Sequence, residues 1–328
     1  MMNILILVPD KNAPSCRFRV LQYLDPLKAF GIVLEVVELS RPKKERRKML
    51  ESAERFDAVL LHRKLLNRFD YARLRRSARR LIYDFDDAVM FRDSNASRLE
   101  SGMRMRKFQR QVAGADLVIA GNSYLARWAS AYNRKVTVIP SVVDLAPFPG
   151  EPAPGSGNTI GWMGTGSNFI YLSMVRPALE LLIRAHPEIT FRVVSDETPD
   201  LPGLPVVFKR WSRTEEVSDL TGFEIGIMPL LSDPWTEGKC ALKILQYGAA
   251  FLPAVCSPVG ANREVVEEGV NGYFAGSPAE WKERLEKLLR SPEKREEMGR
   301  AARKIVKERY SLTVMAPRLA RVLKEAIE

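Results

Sequence analysis

Residues 226–260 read GIMPLLSDPWTEGKCALKILQYGAAFLPAVCSPVG, and this one stretch carries strand, polar loop, helix and strand in turn. The apolar run 223–228 stops at Pro229, and 252–256 form another; short runs without alternation fit strands buried on both faces of a parallel sheet. Between them the pattern predicts a helix that starts near Gly238 or Lys239 and runs to Gly248 or beyond. At 100° per residue, Lys239, Lys243 and Gln246 share one narrow stripe, while Ala241, Ile244, Leu245 and Gly248 face the other way. Two ammonium groups and an amide then stand beside a helix N-terminus, whose free N–H groups and dipole favour an anion such as a diphosphate. The same stripe also reads as the solvated face of an ordinary helix. Asp233, Trp235 and Glu237 favour a ligand, because they lie beyond the C-terminal end of a strand, where open α/β sheets bind.

Working outward, the N-terminal half repeats the same alternation. Strands are predicted at 3–8, 33–37, 58–61, 81–85, 117–120 and 136–139, with helices at 16–30, 42–53, 68–80, 98–113 and 123–132 between them. A second series follows: strands at 159–163, 190–194 and 206–208, helices at 171–185 and 213–220, then the 226–260 unit and helices over 278–290, 293–308 and 312–327. Such βαβ repetition implies mostly parallel sheets covered by helices on both faces, as in Rossmann-like domains. PFPGEPAPGSG, residues 147–157, has the Pro/Gly composition of an interdomain linker. The predicted organisation is therefore an N-terminal domain over 1–148, a linker over 149–158, a second domain over 159–310 and a closing helix over 311–328.

The chain's 328 residues suit two domains. No apolar run approaches the roughly 18 residues that span a bilayer, and the opening MMNILILVPD lacks a basic leader and reads as a first strand. Three cysteines, an odd number with no CxxC pair, exclude a disulfide framework or a cysteine zinc site and suggest a reducing cytoplasm; two histidines are too few for a histidine-rich metal centre. The net charge of +11 is unevenly placed: residues 1–150 carry an excess of +12 and residues 151–328 carry −1. Basic clusters at 41–48, 68–80 and 98–110 read as solvated helix faces, or as a surface for an anionic substrate or an anionic membrane. Nucleic acid is the least favoured partner, since no recognition motif or aromatic interleaving accompanies the charge.

Polar residues collect in the loops after the strands. Arg17 and Arg19 follow the first, His62 and Arg63 the third, and Asp84, Asp86 and Asp87 the fourth, within YDFDDA. Three carboxylates so close repel one another unless solvated, metal-bound or paired with cations, and arginine is abundant here. Asn122 and Ser123, after the fifth strand, fit helix N-caps. The second domain opens on GWMGTGS, residues 161–167, where Gly164, Thr165 and Gly166 fit either a backbone approaching a phosphate or a turn that needs glycine sterically.

Taken together, these residues resemble the retaining glycosyltransferases of family 4, which have the GT-B fold: two Rossmann-like domains with parallel sheets facing across a cleft. The resemblance covers nearly the whole chain and rests on SCRFRVLQYL, YDFDDA, ADLVIAGNSYLARWA with VIPSVVD, IGWMGTGSNFIYL, EGKCALKILQYGAA, SPVGANREVVEEGVNGY and EMGRAARKIVKERYS. It implies transfer of a sugar from a nucleoside diphosphate sugar, with no cofactor and no metal. The C-terminal domain would bind the donor, the N-terminal domain the acceptor, and the last helix would cross back to the N-terminal domain. The resemblance assigns Glu237 to the donor sugar and Lys209, Arg210 and Trp211 to the nucleobase, while Lys239 and Lys243 supply the diphosphate charge that the family usually places after its glycine turn. The second of the family's two glutamates, eight positions beyond the first, is replaced by Gln246, nine positions after Glu237. Arg17, Arg19, Asp84, Asp86, Asp87 and Asn122 fall to the acceptor side. A glycan, a lipid-linked acceptor and a small molecule all suit this reading, as does peripheral contact with the inner face of a membrane. The altered glutamate spacing also admits a GT-B protein that binds a nucleotide or glycan without catalysis.

Overall fold

The computed structural model describes residues 1–39, 42–152 and 157–328; Arg41 of the first basic cluster and residues 153–156 of the predicted linker lie outside the described residues. The chain forms two units, one made of Met1–Val142, Pro234–Cys240 and Leu312–Glu328, the other of Val143–Asp233 and Ala241–Ser311.

The first unit holds six strands, β1 (Met2–Val8), β2 (Ile32–Glu38), β3 (Ala58–His62), β4 (Leu81–Phe85), β5 (Leu117–Ala120) and β6 (Val136–Val138). All pair in parallel, in the order β2-β1-β3-β4-β5-β6. The β3 and β4 runs AVLLH and LIYDF are buried at every position, as expected of strands with helices on both faces. The closing helix Leu312–Ile327 repeats apolar residues at helical spacing, and its buried Leu312, Met315, Ala316, Leu319, Ala320 and Leu323 join one core with Ile4, Ile6 and Ile119.

The second unit is built alike. Its strands are β7 (Thr159–Met163), β8 (Thr190–Ser195), β9 (Val206–Arg210), β10 (Ile225–Met228), β11 (Ala254–Cys256) and β12 (Gly272–Phe274), parallel in the order β12-β11-β10-β7-β8-β9. Two α/β units with six-stranded parallel sheets match the expected fold class. Tyr247 lies flat on β10: a Cβ added at Gly226 would sit 2.3 Å from its ring, and its hydroxyl donates to the Ile227 carbonyl at 3.0 Å. Gly226→Ala is therefore expected to lower the unit's stability by about 1–3 kcal/mol through overpacking, measurable by urea unfolding.

Two boundaries differ from the sequence reading. Residues 143–148, expected in the N-terminal domain, belong to the second unit: the Val143 N–H bonds the Tyr310 carbonyl at 3.0 Å and Leu145 and Phe148 pack on the second core, while Pro149 of the predicted linker accepts from Arg303 at 3.3 Å. Proline and glycine set local conformation, but buried apolar neighbours decide which unit a segment joins. Likewise Pro234–Cys240, expected within the second domain, belongs to the first unit.

Candidate functional site

In an open α/β sheet the ligand crevice lies where strand order reverses. In the second unit that point is between β7 and β10, which are paired at Ile160 and Ile225. The chain leaves β7 through Gly164–Thr165–Gly166, and the helix Leu242–Ala249 follows β10. The two sides meet at Gly164, where an added Cβ would lie 2.7 Å from both Lys243 Cε and Trp162 Cη2. Glycine thus admits the lysine stem, and the Lys243 ammonium stands 5.2 Å from the Trp162 ring centre in the first turn of the helix. The turn's own donors are used internally: Gly164 N–H reaches the Val194 carbonyl at 3.0 Å and Gly166 N–H reaches Asp196 Oδ1 at 2.8 Å. Thr165 accepts from Asn168 Nδ2 at 2.8 Å. The cation at this turn, not its glycine N–H groups, is the feature that suits a diphosphate.

The predicted three-residue stripe is broken. Lys239 is extended, with φ −71° and ψ 140°, and Ala241 adopts a left-handed φ of 54°, so the helix starts only at Leu242. Lys243 and Gln246 remain on it, whereas Lys239 leaves with the first unit. Gln246 is not on a solvated face either; it is 6% exposed and donates from Nε2 to Glu216 Oε1 at 3.2 Å. Periodicity alone could not report this, because the helix boundary depends on the φ of one alanine.

Beyond β9, Trp211 donates its indole N–H to Glu216 Oε2 at 3.0 Å. Lys209 is drawn to Asp219 at 2.6 Å and Glu215 at 3.2 Å, and Arg210 is exposed at the strand's end. Trp211 and Gln246 thus converge on Glu216, a residue absent from the sequence-based set. Its only signal there was its place after a strand end.

In the first unit, Asn122 caps the helix Ser123–Ser130 by accepting from the Leu125 N–H at 2.8 Å, as its sequence position suggested. Its Nδ2 also donates to the Glu237 and Lys239 carbonyls at 3.3 and 3.1 Å, and Tyr124 Oη donates to the Pro234 carbonyl at 3.2 Å. These bonds fix the turn that carries Glu237 and Lys239, where the Lys239 ammonium lies 5.4 Å from the Trp235 ring centre. Cys240 donates its S–H to the Asp86 carbonyl at 3.2 Å. Burial and then the Asp86 charge push this thiol well above its ordinary value, which suits packing rather than nucleophilic chemistry.

The switch point of the first sheet lies between β1 and β3. Arg63, just past β3, has a left-handed φ of 57°, and its guanidinium pairs with Asp87 at 2.5 Å and Asp86 at 3.5 Å. Asp84 pairs with Arg19 and accepts from His62 Nδ1 at 2.7 Å. Burial by itself would raise the Asp84 carboxyl, but Arg19 and the His62 hydrogen bond hold it well below the usual carboxylate range. The three carboxylates of YDFDDA are therefore cation-paired, one of the outcomes that their mutual repulsion allowed. Arg19 and Asp84, both expected on the acceptor side, are only 8% and 4% exposed and line one cavity together with Tyr23 and Ile139. Arg17 stacks on Phe18 with its guanidinium carbon 4.2 Å from the ring centre. Sequence reading noted His62 and Arg63 as loop residues but did not pair them with the aspartates, since sheet register alone brings β3 beside β4.

Among the described residues there is no group of three or more His, Cys, Asp or Glu placed to hold a metal, and no helix is long and apolar enough to cross a membrane.

Residues 226–305 match the family model for glycosyl transferases group 1. A stretch of 77 residues is 39% identical to spore coat protein SA of Bacillus subtilis (strain 168), covering 23% of this chain and about a fifth, 20%, of that relative's length. Among solved structures, a sucrose-phosphate synthase (tll1590) from Thermosynechococcus elongatus superposes with a TM-score of 0.78 at 13% identity, over 99% of both chains. Anabaena Alr3699/HepE in complex with UDP and glucose gives 0.75 at 15% identity, over 99% of this chain and 100% of that one. The pneumococcal O-GlcNAc transferase GtfA in complex with UDP and GlcNAc gives 0.65 at 14% identity, over 86% and 60% of the two chains. At such identities the likeness is one of fold. The chain thus has the GT-B fold, and its residues 226–305 are similar to glycosyl transferases group 1.

Proposed function

We propose that the chain is a glycosyltransferase that moves a sugar from a nucleoside diphosphate sugar to an acceptor hydroxyl, with retention at the anomeric carbon and without a metal. The observation that carries this reading is the seating of Lys243 against the Gly164 turn at the switch point, since Lys243 lies inside the segment that matches group 1 transferases. As the bond from the anomeric carbon to the diphosphate breaks, negative charge grows on the departing oxygen. A fixed ammonium in the first turn of a helix stabilises that charge more than it stabilises the ground state. The acceptor oxygen bonds to the anomeric carbon on the face the diphosphate leaves, and its proton passes to the departing phosphate oxygen. No side-chain base is needed.

In this reading Glu237 orients the donor sugar, Lys239 adds to the charge on the diphosphate, and Lys209, Arg210 and Trp211 meet the nucleobase. Arg17, Asp86 and Asp87 serve the acceptor. The excess charge of residues 1–150 supports an anionic or lipid-linked acceptor and peripheral contact with an anionic membrane, and the three cysteines with no CxxC pair suit a reducing cytoplasm. The relatives crystallised with UDP make it the first nucleotide to try.

A thermal-shift panel of UDP, GDP, ADP and CDP against the wild type and Lys243→Ala tests the assignment. A ligand at about 100 times its dissociation constant adds roughly 2.7 kcal/mol. One nucleotide is expected to raise the wild-type midpoint and to lose most of that effect in the variant. A shift without any multiple-turnover sugar transfer would favour the non-catalytic binding reading, and no shift from any nucleotide would overturn the donor assignment.

A further inference from the structure

Lys243 is the cation on which the mechanism above relies, and two features of its seat work against a fixed position. It stands in the first turn of the helix Leu242–Ala249, where the positive end of the helix dipole repels an ammonium. Its flexible four-carbon stem also carries a large rotamer entropy. An ammonium that must meet a diphosphate acts well only when its place is set in advance.

Trp162 is built to set it. The residue is 1% exposed and belongs to a core with Ile160, Leu172 and Val193, whereas the helix bearing Lys243 packs through Ile244, Leu245 and Tyr247 into a different core. Its indole nevertheless reaches the end of β7: a Cβ added at Gly164 would lie 2.7 Å from Trp162 Cη2, 2.8 Å from Trp162 Cζ2 and 2.7 Å from Lys243 Cε. The Lys243 ammonium stands 5.2 Å from the centre of the ring. That is inside the roughly 6 Å over which the negative face of an aromatic ring attracts a cation, and tryptophan attracts it most. Phe169 supports the indole in turn, with ring centres 5.6 Å apart and a tilt of 46°. Glycine at 164 completes the arrangement, since a side chain there would push the lysine stem off the ring.

We infer that Trp162 is a positioning residue for the donor diphosphate, its ring holding the Lys243 ammonium beside the Gly164 turn where the departing phosphate oxygen gathers charge. The inference rests on the nucleotide-sugar reading above and adds to it a residue that acts only through the lysine.

The test is calorimetric titration of the full chain with UDP and with uridine, which differ only in the diphosphate, or with the corresponding pair for whichever nucleoside diphosphate raises the wild-type midpoint. The wild type is expected to prefer the diphosphate by at least about thirtyfold, through hydrogen bonds to a charged group. Trp162→Leu is expected to lower that preference by about threefold to thirtyfold, the range of a cation–π contact, while uridine affinity stays within about twofold of wild type. A ring that only filled the core would weaken both ligands alike on removal. A ring that only shaped the glycine turn would lower the preference whether or not the lysine is present, so a double-variant cycle separates the two roles: in Lys243→Ala, adding Trp162→Leu should change the preference no further. A preference kept in Trp162→Leu, or lowered equally in the Lys243→Ala background, overturns the inference and leaves the diphosphate assignment of Lys243 standing. If Trp162→Leu does not fold, NMR of the wild type decides. The Lys243 ε-methylene resonance, identified by its absence in Lys243→Ala, is expected upfield of the other lysines through the ring current, and a position among them overturns the inference. A wild type that binds none of the nucleoside diphosphates, or binds them no better than the nucleosides, removes the nucleotide-sugar reading and this inference with it.

Discussion

Asp84→Asn is expected to cost about 3–5 kcal/mol of unfolding free energy at neutral pH, because it leaves the Arg19 guanidinium buried without its counter-charge. Arg19 is 8% exposed, its Nε donates to Asp84 Oδ2 at 3.1 Å, and its Nη1 donates to the Ile139 carbonyl at 3.0 Å. Three elements therefore depend on one carboxylate, since His62 of β3 also bonds it. The pH dependence has a definite sign. The folded-state carboxyl is held below its unfolded value, which is about 3.9, so its contribution is fully present above that pH and is lost as pH falls through the lower folded value. The difference between wild type and variant should shrink from pH 7 to pH 3 in urea-unfolding experiments. A variant as stable as wild type at pH 7 would show that the pair contributes nothing net. Replacing both partners by apolar residues of similar size is expected to recover much of the loss, since no charge is then left buried alone.

The second large effect concerns transfer rather than stability. Glu237→Ala should lower kcat/KM for sugar transfer by about 10²–10³-fold, the range found when one preorganised polar group is removed from a charged transition state. The Thr236–Gly238 turn that bears Glu237 is held through main-chain atoms, with Asn122 Nδ2 bonded to the Glu237 carbonyl. Truncating the side chain leaves that main-chain bond in place, so the variant is expected to fold. Steady-state kinetics with a UDP-sugar, run beside a melting curve, separate the two quantities. Unchanged turnover in a folded variant would remove Glu237 from the reaction.

Much of the architecture could be read from local pattern. The short apolar runs at β3, β4, β7 and β10, separated by stretches of helical period, define parallel strands with helices on both faces, since a strand buried on both sides has no polar alternation to show. Asn122 declared itself as a cap because capping is a contact within three residues. Glycine at 164 and lysine at 243 were each legible as residue types suited to a phosphate.

Their meeting was not legible. Lys243 Cε reaches Gly164 only because β7 and β10 are neighbours, a pairing between positions far apart in the chain. The same holds for Gln246, which periodicity placed on an open stripe with Lys239 and which tertiary contacts turn towards Glu216. The left-handed φ of Ala241 separates Lys239 from the helix. An alanine is not a sequence signal for that conformation, which costs on the order of 1–3 kcal/mol and persists only where surrounding structure enforces it.

By itself, then, the sequence determined the alternation of strand and helix, the parallel sheets and the excess of charge in residues 1–150, because each depends on composition or on contacts between near neighbours in the chain. Only the tertiary structure decided that Pro234–Cys240 joins the first unit, that Asp84 is matched to Arg19 and His62, and that Gln246 and Trp211 converge on Glu216. Those outcomes follow from strand order and burial, which bring together side chains that no local period relates.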